Sequence, residues 1–251
     1  MTTRWKASGI HFLMCLVIAS SVISIALLVW YPAPLFSAMG GQKIVLLVLG
    51  IDVVLGPILT WIIYKPLKKG LKFDLAVIAI LQISALMYGL SVLFQGRPVY
   101  LVFVKDRINV VTAVDIDPDS LARAESEEFR EMPLTGPKLV AAKSPSDPKQ
   151  RERILFAAIN QGRDLHCFPE FYQAYEKQLA RILERAQPLA ELRAKRPESA
   201  ALIDPLLERT GTDGQELTFL PLETQKIQDL TAVIDPANGA IVEILDIDPW
   251  I

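Results

Sequence analysis

The chain has 251 residues, 51% of them hydrophobic, and its 26 lysines and arginines against 28 aspartates and glutamates leave a formal net charge of −2. That balance gives no electrostatic footprint for nucleic acid, and two cysteines cannot make a disulfide framework. The average hides two regimes, an apolar N-terminal third and a remainder of ordinary globular composition.

Residues 9–30, 44–64 and 73–94 are apolar runs of about twenty residues or more, enough at about 1.5 Å per residue to span a hydrocarbon core of about 30 Å. Arg4 and Lys6 precede the first run. Lys65, Lys68, Lys69 and Lys72 fill the loop between the second and third, whereas residues 31–42 carry no charge. The positive-inside rule therefore predicts a cytoplasmic N-terminus, and three crossings place residues 95–251 outside the cytoplasm, in the periplasm of a Gram-negative cell. The first run exceeds the apolar core of a signal peptide, and no small-residue cleavage pattern separates it from Trp30, Tyr31 and Pro32, so it is expected to be retained. Those aromatic residues, with Trp61 and Tyr64, suit a membrane interface. The lysine loop reads as a topology signal, with recognition of anionic lipid as the alternative.

Within the second run, Asp52 in Gly50-Ile-Asp-Val-Val-Leu-Gly-Pro57 demands an explanation. A carboxyl group at such a depth costs roughly 3 kcal/mol on insertion scales. Counting about 1.5 Å per residue from the cytoplasmic ends puts Asp52 about 18 Å deep, Ser20 about 16 Å and Gln82 to Ser84 about 14 to 16 Å. Asp52, Ser20 and Gln82 are thus candidates for one intramembrane polar cluster. In it a protonated Asp52 bonds to Ser20, Ser24 or Gln82 and sets helix register, or meets a partner protein. The other carboxyl group in these runs, Asp74, lies about 15 Å nearer the cytoplasmic surface, which excludes the paired acids of an intramembrane aspartyl protease. Pro57 predicts a kink.

Beyond the third run, Arg97 to Val111 alternates β-branched and aromatic residues around a charged turn at Lys105 to Arg107 and predicts a β-hairpin. Its outer edge, residues 99–104 with Val99, Tyr100 and Val102, is a candidate surface for pairing with a partner's strand. Asp117-Pro118 starts a helix to about Phe129, and Asp147-Pro148 another to about Asn160, with a proline-punctuated segment between them. A longer helix is expected from near Pro169 to about Arg185, then shorter pieces broken at Pro188, Pro197 and Pro205. Residues 217–220 predict a strand, and residues 230–234 and 240–245 flank Asp235-Pro-Ala-Asn-Gly239, a hairpin signal. The reading is three transmembrane α-helices followed by an α+β domain with N- and C-terminal hairpins around a helical middle.

No catalytic constellation stands out there. His166 and Cys167 are sequence neighbours whose side chains diverge, and His11 lies in the first run. There is no clustered Cys/His set, glycine-rich phosphate loop or nucleophile elbow, and the glutamates at 125, 127 and 128 read as a solvated face. Asp246 and Asp248 lack the rest of a calcium loop. The expectation is no enzyme, no cofactor and no metal, and a buried, unpaired Cys167.

Several stretches carry a resemblance: Arg4-Trp-Lys-Ala-Ser-Gly-Ile-His11, Val29-Trp-Tyr-Pro32, Gly50 to Pro57, Lys68-Lys-Gly-Leu-Lys-Phe-Asp-Leu75, Arg97-Pro-Val-Tyr-Leu-Val-Phe103 and the closing Asp248-Pro-Trp250. Together they resemble the TfpX/TfpZ-type type IV pilin accessory proteins. The resemblance implies an inner-membrane factor, matched to one pilin type, that supports pilin stability or pilus assembly and dynamics. On that footing the expected partners are the lipid bilayer and the type IV major pilin, its apolar helix held by the spans through Asp52 and its head by the outer domain. The competing expectation is a structural component of the pilus machine that contacts platform or alignment proteins instead.

Overall fold

Long apolar stretches fold as helices because each backbone donor and acceptor can then be satisfied within its own segment. The computed structural model describes residues 3–211 and 217–250. Helix α1 (Arg4–Ile25) is capped by Thr3, whose hydroxyl accepts from Lys6 N at 3.4 Å, and continues as a π-helical turn, Ala26–Trp30. After the short α2 (Leu35–Ala38) come α3 (Gly41–Leu49), a π-helical stretch Gly50–Leu55, and α4 (Gly56–Ile63), then α5 (Leu71–Gln95). Arg4–Trp30, Gly41–Ile63 and Leu71–Gln95 are long and apolar enough to cross a membrane. Each begins before its apolar run, since arginine and lysine are good helix formers whose charged ends leave the helix. Pro57 has no N–H, and just before it the Gly56 N–H reaches back to Ile51 O, so the widened turn takes up the register change at the expected kink.

Two units result, one of Met1–Pro32 with Gly40–Gly96 and one of Ala33–Met39 with Arg97–Ile251. In the first, α1 and α5 each pack on the middle helix rather than on one another. The α1–α4 contact is polar and aromatic: Ser8 Oγ donates to Pro57 O at 2.9 Å, His11 Nδ1 stands 2.6 Å from Thr60 Oγ1, and the Trp5 and Trp61 rings lie 5.4 Å apart.

The second unit is built on one mixed sheet. In chain order its elements are β1 (Pro98–Val104), β2 (Arg107–Thr112), α6 (Pro118–Ala122), β3 (Lys138–Ala142), α7 (Pro148–Gln161), β4 (Tyr172–Ala174), α8 (Leu179–Arg185), β5 (Gln187–Pro188), α9 (Leu189–Lys195), α10 (Ala200–Thr210), β6 (Thr218–Glu223), β7 (Leu230–Ile234) and β8 (Ile241–Leu245). The strand order is β4-β3-β1-β2-β6-β7-β8, with β5 on the start of β6. The β1/β3 and β2/β6 pairs are parallel and the rest antiparallel. Alternate residues serve opposite faces. Leu101, Phe103, Leu220 and Ala232 share one core with Tyr175, Ile182 and the residues Leu35 and Ala38 of α2. Val102, Val140 and Tyr172 face α7, and Phe219 and Val233 face α9 and α10. Cover on both faces explains why these strands read as nearly continuous apolar runs.

Three expectations are corrected here. The proline-punctuated segment contains β3, which pairs with β1 from Tyr100↔Lys138 to Phe103↔Ala141, so β1 lies inside the sheet. Val99, Tyr100 and Val102 are buried and offer no free edge. The helix expected from Pro169 to Arg185 is helical only at Leu179–Arg185. Before it run two 3-10 turns and β4, because Tyr172 buries its ring against Tyr100 and Phe129 at 5.0 and 5.9 Å and its hydroxyl donates to His166 O. The N- and C-terminal hairpins stand at the two ends of the unit in chain order as expected, and the parallel β2–β6 pair joins them in one sheet. In addition, the Asp117 helix stops at Ala122, with Glu127–Phe129 a separate 3-10 turn that buries Phe129. The hairpin β7–β8 turns at Gly239 with φ +73°, as its Asn-Gly signal predicts.

The C-terminal segment is latched to this sheet. Arg107 stacks over the Trp250 ring at 4.7 Å, Trp250 Nε1 donates to Asp229 Oδ2 at 2.9 Å, and Arg196 donates to Asp248 Oδ2 at 2.8 Å. Asp248 is thus committed to an arginine, and Asp246 accepts from Gln228.

Candidate functional site

The apolar helical unit holds the polar residues that burial explains least. Asp52 sits in the π-helical stretch and is 6% exposed, its Oδ1 without a hydrogen-bond partner among the described residues. Gln82 of α5 reaches across and donates from Nε2 to Asp52 O at 3.0 Å, with Cys15 Sγ at 3.6 Å, while its own Oε1 is likewise buried and unpartnered. Gly56 makes room for this side chain: a Cβ there would stand 2.0 Å from Gln82 Nε2. A cavity of about 170 Å³ opens over the group, lined by His11, Cys15, Ile18, Asp52, Gln82 and Ile83 among others. Asp52 and Gln82 therefore come together. Ser20 does not join them, for it is exposed on α1 and lines no part of the cavity. Ser24 is exposed as well. Asp74 lies apart, in an ion pair with Lys68 at 2.6 Å.

The site thus holds two buried oxygens without hydrogen-bond partners among the described residues, a state that costs more in apolar surroundings than in water. Sequence reasoning found Asp52 as a carboxyl group inside an apolar run and Gln82 through its matching depth. It missed Cys15 and Gly56, whose signal was small size at a helix contact, and His11, the one imidazole in an apolar run.

In the sheet unit the sequence singled out Cys167 and His166. Cys167 is buried, and burial, aided by the Asp115 charge, pushes its thiol up to about 12, so no thiolate nucleophile forms there. Among the described residues no group of three or more His, Cys, Asp or Glu could hold a metal. His166 is buried with Nε2 3.2 Å from Gln225 Nε2, and burial holds its pKa below the ordinary value against the pull of Asp164, Glu223 and Asp115. The folded unit therefore favours the neutral ring, whereas the unfolded chain takes up a proton as pH falls past about 6.5. Stability present above that pH is lost on acidification. Thermal unfolding of the full-length protein in detergent at about pH 7.5 and about pH 5.5 is expected to show a drop in wild type that His166→Gln reduces; equal drops would refute the assignment.

The family described as fimbrial assembly protein FimB matches residues 1–40. The chain is 34% identical over 251 residues to the fimbrial assembly protein of serogroup I from Dichelobacter nodosus, covering 98% of this chain and 95% of that relative. The serogroup E1 protein of the same organism matches to the same extent, 34% over 251 residues. The protein of serogroups C1 and C2 is 40% identical over 121 residues, 47% of this chain and 92% of that relative. No solved structure matches significantly.

Proposed function

The chain belongs to the fimbrial assembly protein family, and from that premise we propose that it is a non-enzymatic, chaperone-like inner-membrane factor of the TfpX/TfpZ type. In this role it binds its cognate type IV pilin and supports pilin stability or pilus assembly. The observation that carries the reading is similarity along the whole chain to proteins named for fimbrial assembly. Three helices long enough to cross a membrane support the location. So does the membership of Ala33–Met39 in the sheet unit, since a loop between the first two spans and a domain after the third fall on one side of a bilayer. With the lysine-rich loop in the cytoplasm, that side is the periplasm. A pilin waiting in the inner membrane exposes an apolar helix and a periplasmic head, and two modest contacts in one membrane plane act with raised effective concentration.

Deleting the gene in its host is expected to lower surface pili and steady-state pilin, and affinity purification of the full-length protein in mild detergent is expected to recover pilin. Normal piliation in the deletion strain, or recovery of assembly-platform proteins without pilin, would overturn the reading.

A further inference from the structure

The cavity over Asp52 continues as a second, narrower one that shares Ala19 and Leu86 with it and is walled by Val22, Val45, Leu49 and Leu90. The second holds only about 10 Å³, so the groove open to a ligand is the cavity over Asp52, between α1 and α5 where both pack on the middle helix. Its lining runs from His11 to Ala19 on α1 and from Ala79 to Leu86 on α5, a length of roughly 11 Å at the helical rise. Aliphatic side chains wall nearly all of it. Asp52 and Gln82 line it, and Asp52 Oδ1 and Gln82 Oε1 are buried without a hydrogen-bond partner among the described residues.

We propose that this groove seats one transmembrane helix of the client pilin, apolar along its length and carrying a hydrogen-bond donor at the level of Asp52. The proposal rests on the reading of the preceding subsection and gives it a site. An acyl chain satisfies the walls but brings no donor to the two acceptors, and a lipid headgroup does not reach mid-depth. A helix supplies both: close packing along the groove, and a hydroxyl, amide or ammonium group in a place where water cannot compete. The small, exposed Ala79 at the wall allows its backbone to approach.

The test places a photocrosslinking amino acid in the full-length protein at Ile18 or Ile83, which line the groove, and at Leu81 or Tyr88, exposed positions of α5 that do not. Pilin adducts are expected from the groove positions alone. Asp52→Leu is expected to reduce them about ten-fold, the effect of one lost intramembrane hydrogen bond, while Asp52→Asn, which keeps an acceptor, retains most of the yield. Protein level and protease resistance of the sheet unit serve as folding controls for both variants. Equal adducts from both faces, adducts undiminished by Asp52→Leu, or adducts only with a second copy of this chain would overturn the groove. If pilin still co-purifies in those cases, the assembly reading stands and only the site falls; if pilin never co-purifies with wild type, both fall.

Discussion

Replacing Leu35 by aspartate is expected to unfold the sheet unit and expose it to proteases, although residue 35 lies in the loop between two long apolar helices. Leu35 is fully buried, in a core with Phe103, Leu220 and Ala232, and Ala38 O of the same short helix accepts from Ile227 N at 3.2 Å. The loop therefore closes one face of the sheet. Leu35→Ala alone should cost about 2–5 kcal/mol through lost burial and the cavity left behind. Against a typical stability of about 5–15 kcal/mol that is severe, and a buried, unpaired carboxylate adds its own desolvation cost. Limited trypsin digestion of the full-length protein in detergent reads the outcome, with Leu134→Asp, at an exposed leucine, as the control. A digestion pattern of Leu35→Asp that matches wild type would show that α2 does not belong to this core.

Val102→Pro is expected to be as damaging, and its comparison with Val242→Pro tests the strand order directly. Val102 faces Asn109 on β2 and Val140 on β3, so proline there removes a ladder donor in a strand with neighbours on both sides and leaves a void where a buried valine packed. The cost is about 3 kcal/mol or more. Val242 lies on β8, at the edge of the sheet and half exposed, where proline should be far milder. Hydrogen exchange supplies the independent check: amides of β1 should exchange only through global unfolding, whereas those of an edge strand open locally. Fast exchange along β1, or equal damage from the two prolines, would restore the edge-strand picture.

The errors of sequence reading share one cause. Lys138 to Ala142 is short, flanked by proline and serine, and has no partner nearby in sequence, so nothing local marks it as the strand that covers β1. Tyr172 to Gln178 has helical spacing, but burial of Tyr172 between Tyr100 and Phe129 overrides that preference. Where the signal was local it held. Asp117 and Asp147 accept from the backbone two residues on and cap helices with proline first, and β7 spans the residues read as a strand. At the candidate site, depth along each apolar run picked out Asp52 and Gln82, yet the same count also chose Ser20, because depth ignores which way a helix face points.

By itself, then, the sequence determined the three long apolar helices, the capped helix starts and the two hairpins, since run length, caps and turn residues act within a few positions of the chain. The tertiary structure alone decided that β1 is interior, that Leu35 and Ala38 complete the core of the sheet unit, and that Asp52 and Gln82 line one cavity that Ser20 does not reach. These depend on which distant segments lie side by side, and that choice follows from the summed burial and hydrogen bonding of the whole fold rather than from any one stretch.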